Sequence, residues 1–315
     1  MVTLKDIQEA NTRISSHIRR TPTVRFAPLR DPIDYEVWLK LENLQVTGSF
    51  KARGAVNKVM SLAPNTIANG IITASGGNHG LGVAYAAHLL KIPATVYVPE
   101  KANQARRNRL ARWGAKVVVG GRDWDDAYAA AMKECEKTGR PMVHPFNDEH
   151  VIAGQGTAAI EILADAPQLD AVIVPIGGGG LISGVATYIK ESSPNTQVIG
   201  VEPAGAASMH ASVQAGKMVE LSNIHSIADT LSSRVVGNLT LEATRKYVDQ
   251  IVLIEDDAMR KAMRRLWDEY NLLVEPSGSA ALAALLENQI DIPKGSRIGV
   301  IVSGGNIDAG PALSI

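Results

Sequence analysis

The sequence predicts an α/β protein of two domains, each a mostly parallel, twisted sheet covered by helices, with the active site in the cleft between them. Three observations carry that reading. Short apolar segments alternate with amphipathic helical stretches along nearly the whole chain, the pattern of strands buried on both faces. Glycine is abundant (28 residues) and aromatic residues make up 4% of the chain, which suits tight helix-on-sheet packing better than a β-sandwich. Four turns rich in small residues fall at strand ends and helix starts, the place where such sheets bind ligands.

Taken in order, Leu4, Ile7, Ile14 and Ile18 recur at helical spacing, with Thr3 as a cap, and predict a helix over 4–18. Alternation then predicts a strand at 37–41, followed by helix 52–62, strand 71–74, helix 79–90 and strand 94–98. Helix 106–113, strand 116–119, helix 124–137 and a short strand at 142–143 come next. The second half repeats the rhythm: helix 152–163, strand 171–174, helix 181–191, strand 198–201, helix 239–247, strand 251–254, helices 258–270 and 280–286, and strand 298–302. Residues 71–143 form four β/α units of their own. They predict a small domain, 63–149, inserted into a larger one made of 1–62 plus 150–315. The irregular stretch 217–237 reads as a long loop bordering the site.

At 315 residues the chain can bury a large core. Its 32 Lys and Arg balance 32 Asp and Glu, so no net field draws nucleic acid or an acidic membrane. Arg106, Arg107, Arg109 and Arg112 cluster locally and read as one solvated helix face. The single cysteine, Cys135, permits no internal disulfide or cysteine metal cluster, and no chemistry is assigned to it. No apolar run reaches roughly 18 residues and no signal-peptide core opens the chain. A cytoplasmic protein without membrane or nucleic-acid partners is expected, assembled as a homodimer, the commonest symmetric state.

The first turn, Thr47-Gly48-Ser49-Phe50-Lys51-Ala52-Arg53-Gly54-Ala55, places Lys51 at a strand-to-helix junction. Small residues before it let backbone approach a ligand, and Phe50 is placed to lie against a flat ring. Lys51 reads either as a surface cation or as a desolvated amine kept partly unprotonated for covalent chemistry. The second turn, Ala74-Ser75-Gly76-Gly77-Asn78-His79-Gly80, offers N–H groups and the Ser75 hydroxyl at a helix start. It reads as an anion site or as an ordinary turn in which Asn78 and His79 cap the helix.

The third turn runs Gly177-Gly178-Gly179-Gly180-Leu181. Four glycines cost backbone entropy and add no packing, so a nest of N–H groups around a phosphate is their best justification. No Gly-Lys-Ser/Thr follows, and the dinucleotide fingerprint fails because its sixth position falls on Ile182; a monophosphate fits better than a nucleotide. The fourth, Val302-Ser303-Gly304-Gly305-Asn306, puts a hydroxyl at a strand end, where it can meet a ring nitrogen.

A planar phosphorylated aldehyde that condenses with lysine uses all four turns, and pyridoxal 5'-phosphate is that molecule. On these residues, with His144-Pro145-Phe146, Ala153-Gly154-Gln155-Gly156-Thr157 and Glu275-Pro276-Ser277-Gly278, the chain resembles the fold-type-II pyridoxal-phosphate enzymes, which share the tryptophan-synthase-β-like fold. Within them it is similar to the threonine/serine dehydratase and serine racemase group. Since no regulatory segment follows Ile315, it is closest to the short dehydratases. The resemblance implies that Lys51 holds the cofactor aldehyde and later moves the α-proton, and that Phe50 packs on the ring. It implies phosphate contacts from Gly177, Gly178, Gly179, Gly180 and Leu181, ring contacts from Asn78 and Ser303, and a substrate-carboxylate site at Ser75, Gly76, Gly77, Asn78 and His79. A lyase is implied that removes water from a β-hydroxy amino acid and releases a 2-oxo acid and ammonia. Threonine, serine, 3-hydroxyaspartate and phenylserine remain alternatives for the substrate.

Two departures from the group matter. Gly76 stands where the racemases have a serine, so a second acid/base group is missing. After Glu202-Pro203 the second carboxylate of a divalent-cation site is absent. Glu202 with the Ala206 carbonyl is then either a reduced cation site or simply a cap on the following helix. The rival readings are serine racemase, a β-replacement enzyme, and, outside enzymes, a phosphate-ligand binding protein. Against β-replacement stand His79, where that group has threonine, and Phe146.

Overall fold

The computed structural model describes residues 1–28, 32–166 and 168–307; the chain end at Ile315, on which the expectation of no regulatory segment rests, lies outside them. The first helix, α1 (Leu4–Ile14), is shorter than predicted and opens on a capping box in which Thr3 and Asp6 exchange hydrogen bonds. An edge strand β1 (Thr23–Phe26) precedes β2 (Glu36–Leu41), and a 3-10 turn at 42–44 leads toward α2 (Lys51–Ser61) and the single turn α3 (Pro64–Ile67). Then follow β3 (Ile71–Ala74), α4 (Asn78–Leu90), β4 (Ala94–Val98), α5 (Gln104–Arg112), β5 (Lys116–Val119) and α6 (Trp124–Thr138). The remainder is α7 (Glu149–Asp165), β6 (Ala171–Pro175), α8 (Gly180–Ser192), β7 (Gln197–Pro203), α9 (Ser208–Ala215), α10 (Asn238–Tyr247), β8 (Gln250–Ile254), α11 (Asp256–Tyr270), α12 (Pro276–Leu286) and β9 (Arg297–Val302).

Two sheets result. The larger has the order β1-β2-β9-β6-β7-β8 and is parallel except for β1, which pairs antiparallel with β2 at the edge. The smaller is parallel, in the order β3-β4-β5. The fourth β/α unit expected at 142–143 is a correction: Met142 makes only an isolated parallel bridge to Ile72, and Val143 N–H donates to the Ile72 carbonyl (2.8 Å). The chain then turns at His144-Pro145, where proline has no N–H to extend a ladder. The elements β1, α3 and α9 did not appear in the sequence reading.

Alternation in the buried strands sends side chains to both faces of the larger sheet. Ala171 and Ile173 of β6 join the core under α11 and α12, whereas Val172 and Val174 join the core under α7 and α8. The smaller sheet is covered on one face by α4 together with α2, whose Ala52, Ala55, Val56 and Val59 share a core with Ile71, Val96 and Val98. The other face meets α6 through Ala131.

This topology positions the site. Strands β2, β9 and β6 are neighbours, with Leu41 opposite Val302 and Ile173 opposite Val300. Their carboxyl ends therefore carry the Lys51 turn, Ser303 and the tetraglycine turn side by side.

Candidate active site

Lys51 is the first residue of α2 and Phe50 its N-cap. The turn is tied to β9: Phe50 N–H donates to the Ser303 carbonyl (3.1 Å), and Ser49 bridges Gly304. Gly48 sits at φ +76°, and a Cβ there would run into Asn306, so this close approach needs glycine. The Lys51 residue keeps some exposed surface, yet its amine lies deep in the cleft, donating to the Pro145 carbonyl (2.7 Å) and standing 5.1 Å from the centre of the Phe50 ring. Burial brings its pKa down from 10.5 to about 8. That is the desolvated amine, not the surface cation.

One buried and one half-buried imidazole stand near it. Burial, with Lys51 nearby, takes His79 down to about 3 and His144 to about 4, so both are neutral. His144 Nδ1 accepts from the N–H groups of Phe146 (3.2 Å) and Asn147 (2.9 Å), which shapes the turn that offers Pro145 to Lys51. His79 turns its Nε2 to the Val143 carbonyl (2.9 Å), so its ring faces the chain and not an open anion site.

The Ser75–His79 loop opens α4, whose first-turn N–H groups are available to an anion. Ser75 Oγ accepts from Gly77 N–H (3.3 Å). A Cβ on Gly76 would rest in ordinary contact with Ala102 (3.4 Å) and Val98 (3.6 Å). Asn78 has a protein partner at each end, and its NH2 group has a second hydrogen to give: the amide nitrogen donates to Glu275, and the oxygen accepts from Asn306 Nδ2 (2.8 Å).

The tetraglycine turn leads into α8. Gly179 adopts φ +93°, and a Cβ there would press on Thr240 (2.7 Å). Thr240 Oγ1 donates to the Gly178 carbonyl (2.8 Å), turning that carbonyl away from the cradle. Among the described residues, the N–H groups of Gly177, Gly178 and Gly179 find no backbone acceptor, and together with the α8 N-terminus they form a nest. Ser303 is buried at the end of β9, its hydroxyl on the Ser277 carbonyl (3.2 Å). Enclosed amine, N–H nest, flat Phe50 face and strand-end hydroxyl converge, and these residues fit a phosphorylated pyridine aldehyde.

Sequence reasoning missed several partners. Glu275 is buried beside Asn78, and burial raises its pKa to about 7, with Asp229 adding to the rise. Thr230, from the long loop, hydrogen-bonds Ser277 Oγ (2.5 Å) and borders Gly77. For two of the four arginines of α5 the solvated-face reading is corrected: Arg106 pairs with Asp229 and Arg109 reaches Asn306 Oδ1 (3.3 Å), so these two span the cleft mouth, whereas Arg112 stays exposed and Arg107 donates to the Glu100 carbonyl (2.7 Å). Only pairings across 123 and 197 positions reveal this. Both oxygens of Glu202 accept from α9, from Met209 N–H (2.8 Å) and His210 N–H (2.7 Å), and Ala206 is buried in a 3-10 turn. Glu202 thus caps α9. Burial raises the Glu202 pKa to about 7.

The fold and site are those of a cofactor-dependent α/β enzyme, and residues 14–304 match the family described as pyridoxal-phosphate dependent enzyme. The chain belongs to that family. It is 42% identical to the L-threonine ammonia-lyase of Thermotoga maritima, over 98% of this chain and 76% of that protein. It is 36% identical to a serine racemase of Oryza sativa, over 98% and 91% of the two chains. Among solved structures, maize serine racemase superposes with a TM-score of 0.95 at 35% identity (99% and 95% covered). The processed form of threonine deaminase isoform 2 from Solanum lycopersicum gives 0.91 at 35% identity (98% and 92% covered). Among the described residues, no helix is long and apolar enough to cross a membrane.

Proposed function

We propose that this protein is a pyridoxal-phosphate-dependent dehydratase, a lyase that removes water from a β-hydroxy amino acid such as L-threonine or L-serine and yields a 2-oxo acid and ammonia. The observation that carries the reading is the Lys51 amine, held near a pKa of about 8 by burial, on a turn that shares one end of the sheet with the Gly177–Leu181 nest, β2 and β6 flanking β9. Pyridoxal 5'-phosphate supplies the electron sink that stabilises negative charge at the substrate α-carbon. The nest holds its phosphate, Phe50 its face, and Asn78 and Ser303 its polar edges. The N–H groups of the Ser75–His79 loop bind the substrate carboxylate and present the α-carbon to Lys51.

Lys51 then accepts the α-proton. The Cβ–O bond breaks, its electron pair leaves with the hydroxyl, and proton transfer makes that group water. The released enamine tautomerises and adds water, giving the 2-oxo acid and ammonia. Glycine at position 76 leaves the opposite face without a positioned proton donor, which favours elimination over racemisation.

The reading includes the inserted unit 63–149 within 1–62 plus 150–315, supported by two sheets that share no strand. It also includes a cytoplasmic homodimer, which light scattering on the purified protein checks. A panel of β-hydroxy amino acids assayed for 2-oxo acid tests the activity: release from L-threonine or L-serine is expected. A cofactor-loaded protein that releases none from any of them overturns the assignment.

A further inference from the structure

We propose that α7 is the element that sets the distance between Lys51 and the phosphate nest, through Gly154 on one side and Gly156 on the other. The proposal rests on reading the site as a pyridoxal-phosphate pocket. Lys51 and the nest open two different helices, α2 and α8, and α7 lies against both. Residues two apart on an α-helix are turned by about 200°, so Gly154 and Gly156 present nearly opposite faces.

At the first face, a Cβ on Gly154 would stand 2.7 Å from the Arg53 carbonyl oxygen and 2.7 Å from Gly54 Cα. Reciprocally, a Cβ on Gly54 would stand 2.7 Å from the Val151 carbonyl oxygen. At the second, a Cβ on Gly156 would stand 2.9 Å from the Gly184 carbonyl oxygen, and one on Gly184 would stand 2.6 Å from Gly156 N. Backbone therefore touches backbone at both crossings, closer than side-chain-mediated helix packing at about 8–10 Å between axes allows.

Each crossing falls about one turn from a functional end: Gly54 follows Lys51 by three residues, and Gly184 follows Gly180 by four. Side chains lock the α2 crossing. Gln155 Oε1 accepts the Gly54 N–H (3.1 Å), while Thr157 Oγ1 donates to the Gly154 carbonyl (2.7 Å) and accepts from Arg53 Nη1 (3.1 Å). On the far side of α2, Gly82 of α4 stands so close that a Cβ would be 2.9 Å from the Lys51 carbonyl oxygen. The lysine helix is thus gripped from two sides by backbone. Gly154 and Gly156 act as positioning residues, since a close-packed interior cannot absorb an added methyl without moving a helix.

The two faces give two separable readouts. Full-length protein stripped of cofactor is titrated with pyridoxine 5'-phosphate, which has the phosphate and ring but no aldehyde, and with pyridoxal 5'-phosphate, which also bonds to Lys51. Gly154→Ala is expected to leave the pyridoxine phosphate Kd within about threefold while reducing the extra affinity of the aldehyde form at least tenfold, since displacing a reacting group by about 1 Å costs on the order of 100-fold. Gly156→Ala is expected to weaken pyridoxine phosphate itself at least tenfold. Thr157→Val keeps the shape of the α2 crossing but removes its hydroxyl, and should reproduce the Gly154→Ala pattern at roughly threefold size; it decides the matter if Gly154→Ala fails to fold. Both readouts falling together in every variant, or neither moving, overturns the positioning role. Wild-type protein that binds neither compound overturns the pocket reading instead.

Discussion

At the residue scale the governing quantity is the free energy of one buried amine. An ordinary lysine near pH 8 is almost wholly protonated, whereas Lys51, with a pKa of about 8, is half unprotonated there. Because its folded pKa lies below its unfolded value, the unfolded state binds the extra proton between about pH 8 and 10.5. The stability of the cofactor-free protein should therefore rise with pH through that window. Lys51→Met should abolish the rise, together with the yellow colour of the cofactor-bound protein and all turnover. Thermal unfolding across that window checks it, and an unchanged slope in the variant would assign the titration elsewhere.

Gly76 is the second residue-scale test. Its Cβ direction meets Ala102 and Val98 at ordinary contact distances, so serine fits without displacing backbone. A positioned hydroxyl acting as a general acid contributes on the order of 100-fold over an unpositioned proton source. Gly76→Ser should thus raise D-serine relative to pyruvate when L-serine is the substrate. An unaltered product ratio would remove Gly76 as the reason for elimination.

At the element scale, the proposed chemistry falls on helix ends. The N-termini of α2, α4 and α8 carry the Lys51 turn, the Ser75–His79 loop and the tetraglycine turn, and each helix leaves first-turn N–H donors for a ligand. The N-terminus of α9 is satisfied differently, by the Glu202 carboxylate. With a folded pKa of about 7 against an ordinary 4.5, Glu202 holds its proton more tightly in the folded state, so its contribution is present at low pH and is lost as pH rises toward 7. Glu202→Gln keeps an acceptor oxygen and should flatten part of the fall in Tm between about pH 5 and 7. Glu202→Ala, by removing the cap, should cost about 1–2 kcal/mol. Urea unfolding of both variants separates cap from charge.

At the scale of the whole molecule, a buried charge cluster ties the lysine helix to the rest of the fold. Arg53 bridges Glu42 (2.7 Å) and Glu161 (2.8 Å), and Lys40 pairs with the same Glu161 (2.6 Å). Burial opposes the charges of Lys40, Glu42 and Arg53, but the two carboxylates hold Arg53 ionised, and Arg53 in turn keeps Glu42 ionised. Two cations against two carboxylates leave the cluster neutral, and it joins β2, α2 and α7. Arg53→Met leaves both carboxylates facing Lys40 alone and should cost about 3–5 kcal/mol. A change in urea midpoint equivalent to less than about 1 kcal/mol would mean that water reaches the cluster.

Order along the chain was enough for the α/β alternation, the four glycine-rich turns and Lys51, because each depends on residues within one or two turns of one another. Local pattern also sufficed to find the tetraglycine turn, since four consecutive glycines stand out in sequence, but that Phe146 and Thr240 pack against it did not show there. The pairings were decided only by the tertiary structure. Asn78 meets Glu275 across 197 positions and Arg53 meets Glu161 across 108, and no local period encodes either contact. The same holds for Arg109 at the cleft mouth, for the ring of His79 turned onto Val143, and for the reach of Glu202 to the α9 N-terminus. A charged or polar side chain looks alike in sequence whether it is solvated or buried. Its role is set by what the fold brings against it, and so by how much water it loses.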